Sequence, residues 1–150
     1  MKVSKDIPLA ELTLRKYGKP YNLPEREIVK KLCLSIGLLQ PGDSRDVVVD
    51  VLDVLLKAKL KNEHLDSTKI QNLVITNRKK YSVPIFGIAP SNIRRQLKRL
   101  RDLFLVEKIA NEYRITEFED LHIIFEKRIK NFLLPSILER IEEYFKVYGK

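Results

Sequence analysis

The sequence predicts a mainly α-helical protein with one small β-hairpin and further helices on either side of it. Three observations predict this. Apolar residues recur at helical spacing over residues 45–60, 69–79 and 91–103. Strand-forming residues flank a turn at Ala110 and Asn111. The 44% hydrophobic content of the 150 residues excludes wholesale disorder and allows one domain with a sizeable core.

Residues 1–23 read ambiguously, with a short helix over 7–18 ended by Gly18 and a loop over 19–22. Pro24 opens a helix that turns Ile28, Val29, Leu32 and Cys33 to one face and stops near 37–39. Residues 40–43, Gln-Pro-Gly-Asp, form a strong turn and the expected boundary of an N-terminal helical extension, residues 1–43. Asp43 or Ser44 is positioned to cap the next helix, 45–60, which is apolar almost all round and belongs in the core. Asp46, Asp50 and Asp53 share helical spacing, and we read them as its solvent strip rather than a metal-binding row. Asp66, Ser67 or Thr68 caps a helix to about residue 79, with Ile70, Leu73, Val74 and Asn77 on its buried face. A longish connector, 80–89, follows, with room for a short extended segment.

Pro90 and Ser91 then signal a helix start. Ile93, Leu97, Leu100 and Phe104 make one apolar stripe, and Arg94, Arg95, Lys98, Arg99 and Arg101 fall mostly outside it. A hairpin over 105–116 comes next. Thr116 and Glu119 have capping-box spacing for a further helix, Pro135 breaks or kinks it, and a last helix carries Ile137, Leu138, Ile141, Tyr144 and Phe145.

The net charge of +9 is uneven. Residues 81–115 hold seven bases against three acids, and residues 116–150 hold six against seven. Guanidinium groups bond phosphates and guanine edges well, so a basic helix with an apolar back suits a DNA major groove. Residues 1–6 lack the apolar core of a secretion signal, and no apolar run approaches the roughly 20 residues that span a bilayer. The lone Cys33 sits among Leu32, Leu34 and Ile36, so a buried, inert thiol and a cytoplasmic protein are expected.

The order helix, helix, basic helix, hairpin, together with the wording of residues 97–108 and 112–116, resembles prokaryotic winged helix-turn-helix transcriptional regulators, including archaeal predicted regulators with an N-terminal extension. The resemblance covers about residues 44–116. It implies double-stranded DNA binding, with helix 91–103 in the major groove and the hairpin as a short wing. Ser91, Asn92 and Arg95 become the expected base contacts, with Asn92 suited to adenine and Arg95 to guanine. Arg94, Lys98, Arg99 and Arg101 join them as base or phosphate contacts, and Arg78, Lys79, Lys80, Lys108 and Arg114 as flanking phosphate contacts. The family usually has Gly where Phe104 stands, which implies a different helix ending here. Residues 117–150 are expected to form a homodimer, with 1–43 a second candidate for partner contact. The alternative is a winged-helix module that binds RNA or an acidic protein. His64 and His122 lie in different elements, and nucleotide-loop and nucleophile-elbow motifs are missing, so neither an enzyme, a metal nor a cofactor is expected.

Overall fold

The structure is a computed structural model that describes residues 6–149, so the reading of the first residues as lacking a signal core lies outside it for residues 1–5. Helix α1 spans Glu25–Ser35, α2 Val47–Leu60, α3 Ser67–Lys80 and α4 Pro90–Asp102. Strand β1 is Leu65–Asp66, β2 is Val106–Ile109 and β3 is Glu112–Ile115. A 3-10 turn at Thr116–Phe118 leads into one long helical run made of α5 (Leu121–Ile124), a π-helical segment (Phe125–Leu133) and α6 (Leu134–Tyr148).

Helix α2 is the centre of the core. Val49, Val51, Leu52 and Leu55 are fully buried, because α1, α3 and α4 pack around it and β3 closes the remaining side. Its Leu52 and Leu55 share one cluster with Ile70 and Val74 of α3, Ile93, Leu97 and Leu100 of α4, and Ile115 of β3. Val29, Cys33, Leu38 and Leu39 belong to the same cluster, so the core runs uninterrupted across the 40–43 turn. The sheet order is β1-β3-β2, all antiparallel. Ala110 and Asn111 both have positive φ (50° and 67°), as a two-residue hairpin turn of the favoured twist requires. The third strand lies before α3, pairing Leu65 with Tyr113. Residues 81–89 form the connector and hold no strand, although room for an extended segment was expected there.

Several local expectations are corrected. Residues 6–24 form no helix; they run as an irregular arm. Arg15 pins that arm, its backbone N–H bonding Ser35 O at 2.8 Å and its Nη1 bonding Leu34 O at 2.8 Å and Leu39 O at 3.1 Å. Ser35 O and Leu34 O lie in the last turn of α1, where carbonyls lack a full set of helical donors, and Leu39 O lies in the loop beyond; one arginine from a distant segment bonds all three. Thr13 lies directly over Gly37, whose φ of +78° lets the chain turn back under it. A Cβ at Gly37 would sit 2.5 Å from the Thr13 Cβ. Helix α2 starts at Val47, and the side chain of Asp43 bonds Arg45 N instead of capping it. Asp66 does cap α3, accepting from Lys69 N at 2.8 Å. Ala89, not Ser91, is the N-cap of α4, with Pro90 in its first turn. Thr116 forms no capping box; its Oγ1 donates to Phe104 O at 2.7 Å. Pro135 does not end the long helix. It sits in the first turn of α6, where its missing N–H does least harm, directly after the π segment.

Phe104 ends α4 in the left-handed conformation, with φ of 64°. A non-glycine residue there costs about 1–2 kcal/mol. The ring offsets this by packing edge-on against Phe132, centroids 6.1 Å apart, with the Arg128 guanidinium 5.9 Å away. The long helix is thereby fastened to the end of α4. A second fastening joins Lys59 of α2 to Asp120, at 3.0 Å.

The largest correction concerns the three aspartates of α2. They are buried, Asp50 completely, and they face a cluster of cations. Asp50 accepts four hydrogen bonds: from Arg26 Nε (3.1 Å) and Nη2 (3.0 Å), Arg78 Nη1 (2.7 Å) and Asn77 Nδ2 (2.9 Å). Asp46 takes the second bonds of the same arginines, at 3.1 and 2.9 Å. Asp53 accepts from Asn77 Nδ2 at 3.1 Å and Lys57 Nζ at 3.2 Å. Arg78 is therefore a core residue, 2% exposed, and not a phosphate contact. Its Nε reaches on to Pro84 O at 2.7 Å and fixes the start of the connector. Burial works against the Asp46 carboxylate, but the hydrogen bonds and charges of Arg78 and Arg26 outweigh it and hold its pKa below the ordinary value. Burial likewise opposes the charge on Arg26, and Asp50 and Asp46 overcome it and raise its pKa.

Arg78→Ala and Asp50→Ala each leave the buried cluster with one surplus charge and broken hydrogen bonds, and each should cost about 3–5 kcal/mol in denaturant unfolding. Because the Asp46 pKa is depressed in the folded state, its contribution is present above about pH 4 and lost as pH falls through the folded value. Asp46→Asn should therefore lower stability at neutral pH and flatten the loss below about pH 4, read from chemical melts across pH. Gly37→Ala should destabilise by at least about 1–2 kcal/mol and speed trypsin cleavage at the exposed Lys16, as Thr13 is pushed off its seat.

Candidate nucleic-acid interface

Helix α4 is held on two sides. Its apolar stripe, Ile93, Leu97 and Leu100, is fully buried against α2 and α3. Along one flank runs a chain of polar bonds at helical spacing. Asn92 Nδ2 donates to Gly87 O (2.7 Å), Gln96 Nε2 to Asn92 Oδ1 (3.0 Å), and Arg99 Nη1 to Gln96 Oε1 (2.8 Å). Arg99 Nη2 then donates to Leu38 O at 2.6 Å. The flank thus ties α4 to the connector at one end and to the α1–α2 loop at the other. Both ends of the Asn92 amide are engaged, and Arg99 is half-buried. Reading adenine with Asn92 would require breaking two internal bonds.

The remaining cations of α4 face outward. Ser91, Arg94, Arg95, Lys98 and Arg101 are exposed. Lys98 pairs with Asp102 at 3.2 Å across one turn, in full solvent, where such a pair is worth little. Arg94, Arg95 and Arg101 make no hydrogen bond or ion pair with any described residue. At 100° per residue, Ser91, Arg95 and Lys98 cover the face opposite the core stripe, and Arg94 and Arg101 lie side by side at its edge.

The flanking cations divide. Lys79 and Lys80 are exposed at the end of α3, where Lys80 rests over the Tyr81 ring at 5.3 Å. Lys108 is exposed on β2, over Tyr113 at 5.7 Å. Arg114 is half-buried instead: its Nε bonds Glu107 Oε2 at 2.5 Å and its guanidinium covers the Phe118 ring. Burial opposes the Glu107 charge, but the Glu117 N–H and Arg114 hold its pKa below the usual carboxylate value. Arg114 therefore braces the hairpin stem.

Sequence reasoning missed Arg45 and Phe86. Both line a cleft of about 590 Å³ between the start of α2, the connector and α4, together with Arg95 and Gln96. Phe86 is 72% exposed, an apolar ring in a connector with nothing covering it. The available signal was a large apolar pair, Ile85 and Phe86, between Pro84 and Gly87 in a connector. Burial pushes the Cys33 thiol up to about 12, so it stays protonated and unreactive at neutral pH. Among the described residues no cluster of His, Cys, Asp and Glu is arranged to hold a metal ion, and no helix is long and apolar enough to cross a membrane. Comparison with protein-family models, curated proteins and solved structures gives no match, so the functional reading rests on the chain's own residues.

Proposed function

We propose that the chain is a winged helix-turn-helix protein that binds double-stranded DNA as a transcriptional regulator, with α4 lying in the major groove and the β2–β3 hairpin as a short wing. The element order α2-β1-α3-α4-β2-β3 with its three-stranded sheet supports the fold assignment. The observation that carries the function is the outward face of α4. Three arginines without internal partners, with Ser91 and Lys98, sit on a helix whose back is locked into the core. An arginine with no internal bond to break loses least on meeting a phosphate or a guanine edge. Ser91 and Arg95, toward the N-terminal end of α4, are the base-reading candidates, because that end reaches bases most often. Arg94, Lys98 and Arg101 are backbone contacts, supplemented by Lys79, Lys80 and Lys108 at the flanks.

Fluorescence anisotropy with labelled duplexes tests this. Affinity should fall steeply with salt, as counterions are released. The triple variant Arg94→Ala/Arg95→Ala/Arg101→Ala should bind at least about tenfold more weakly, with a log K against log salt slope shallower by roughly 2–3. Its circular dichroism and unfolding midpoint should be unchanged. Unaltered duplex affinity in the triple variant, or no duplex binding at low salt, would sink the proposal. Preference for structured RNA over every duplex would reassign the same face to RNA.

A further inference from the structure

Helix α6 buries none of its 15 residues. Its main contacts are with the π segment from which it grows, and from Leu138 onward every described residue of this helix, about 22 Å long, is exposed. Yet its sequence is strongly two-sided. Leu134, Ile137, Leu138, Ile141, Tyr144, Phe145 and Tyr148 recur at spacings of three and four, and Glu139, Arg140, Glu142, Glu143 and Lys146 take the other side. Tyr144 is 73% exposed, Phe145 74% and Tyr148 94%. A stripe of that size does not stay in water without a reason.

The geometry points to a second copy of this chain as the occupant, with the two α6 helices antiparallel and crossing at Ile141. Two arguments select it. The first is charge. Residues 134–150 hold three acids and three bases, so the whole net charge of +9 lies on residues 1–133. Helix α6 itself holds three acids against two bases, and such a helix is drawn neither to phosphates nor to an anionic membrane, whose interfacial helices carry a basic face. The second copy brings another +9 body, and antiparallel helices put the two bodies at opposite ends.

The second argument is side-chain size. The stripe is graded, aliphatic in its first half and aromatic in its second. An antiparallel crossing at Ile141 sets Leu138 against Tyr144, Ile137 against Phe145, and Leu134 against Tyr148. Every level on either side of the central Ile141 pair then combines one aliphatic and one aromatic side chain, as close packing of facing helices prefers. A parallel pair would stack ring on ring at one end and leave the other end thin. With aromatic side chains at about 150–250 Å² each, the stripe offers roughly 700 Å² per chain. The pair would bury about 1,400 Å², inside the roughly 1,200–2,000 Å² of stable specific interfaces.

Sedimentation equilibrium without DNA tests this independently of duplex binding. The expected species is twice the 17.6 kDa chain mass. Ile141→Glu/Phe145→Glu should be monomeric, with unchanged circular dichroism in the body, since neither side chain is buried in the single chain. Orientation is read by mixing Leu138→Cys with Tyr144→Cys under oxidation: the disulfide should form between the two variants. A monomeric wild-type chain, or a dimer that survives the glutamate pair, overturns the proposal. Cross-linking of Leu138→Cys only with itself overturns the antiparallel arrangement.

Discussion

The buried carboxylate of Asp50 is the constraint on which the rest of the structure depends. A lone ion in an apolar interior costs several kcal/mol, so the fold has to bring it partners. It brings them from two directions, Arg26 from α1 and Arg78 with Asn77 from α3, and Asp46 and Asp53 share those same donors. The six charged groups balance, three aspartates against Arg26, Arg78 and Lys57, and every polar side-chain atom buried among the described residues has a hydrogen-bond partner. A cluster of this kind contributes orientation more than net stability, because its bonds are directional and apolar contacts are not. It ties α1 to the α2–α3 pair, and through Arg78 it sets where the connector to α4 begins.

Much of this architecture was legible in the sequence. The α2, α3 and α4 stripes and the hairpin turn at Ala110 and Asn111 all emerge from local periodicity, which is a property of the segment itself. What was not legible depends on partners far along the chain. The spacing of Asp46, Asp50 and Asp53 correctly placed them on one face, but only Arg26 and Arg78, 20 to 32 residues away, make that face an interior one. The arm reads as an ambiguous short helix ended by Gly18, and the carbonyls that Arg15 bonds at and beyond the end of α1 outcompete that weak local preference. Strand β1 has two residues and exists only because β3 offers it an edge. At Phe104 the sequence showed that the usual glycine is missing, and only the Phe132 ring explains what compensates.

The candidate site was legible in outline and wrong in part for the same reason. A count of cations treats every arginine alike, whereas the fold sorts them. Arg78 neutralises the core, Arg99 holds two loops, and Arg114 braces the hairpin. Arg94, Arg95 and Arg101 remain exposed and without a partner among the described residues. The structural arginines still matter to that face, since Arg99 and the Asn92–Gln96 relay prevent α4 from turning about its own axis and fix which side the free arginines occupy.

The π segment carries a consequence of its own. Ile124 and Ile129 are both buried although five residues separate them, a spacing that in an uninterrupted α-helix would point them about 140° apart. The widened turns, marked by the bond from Leu134 N–H to Ile129 O, absorb the surplus residue. That residue acts as a phase setter. It lets the first half of the long helix follow the body while turning the second half's greasy side elsewhere. Removing one residue from this stretch would leave both halves helical and both stripes intact, yet rotate one against the other by about 100°. The direction in which the protein presents its last helix is thus encoded by a count, and no individual side chain in α6 determines it.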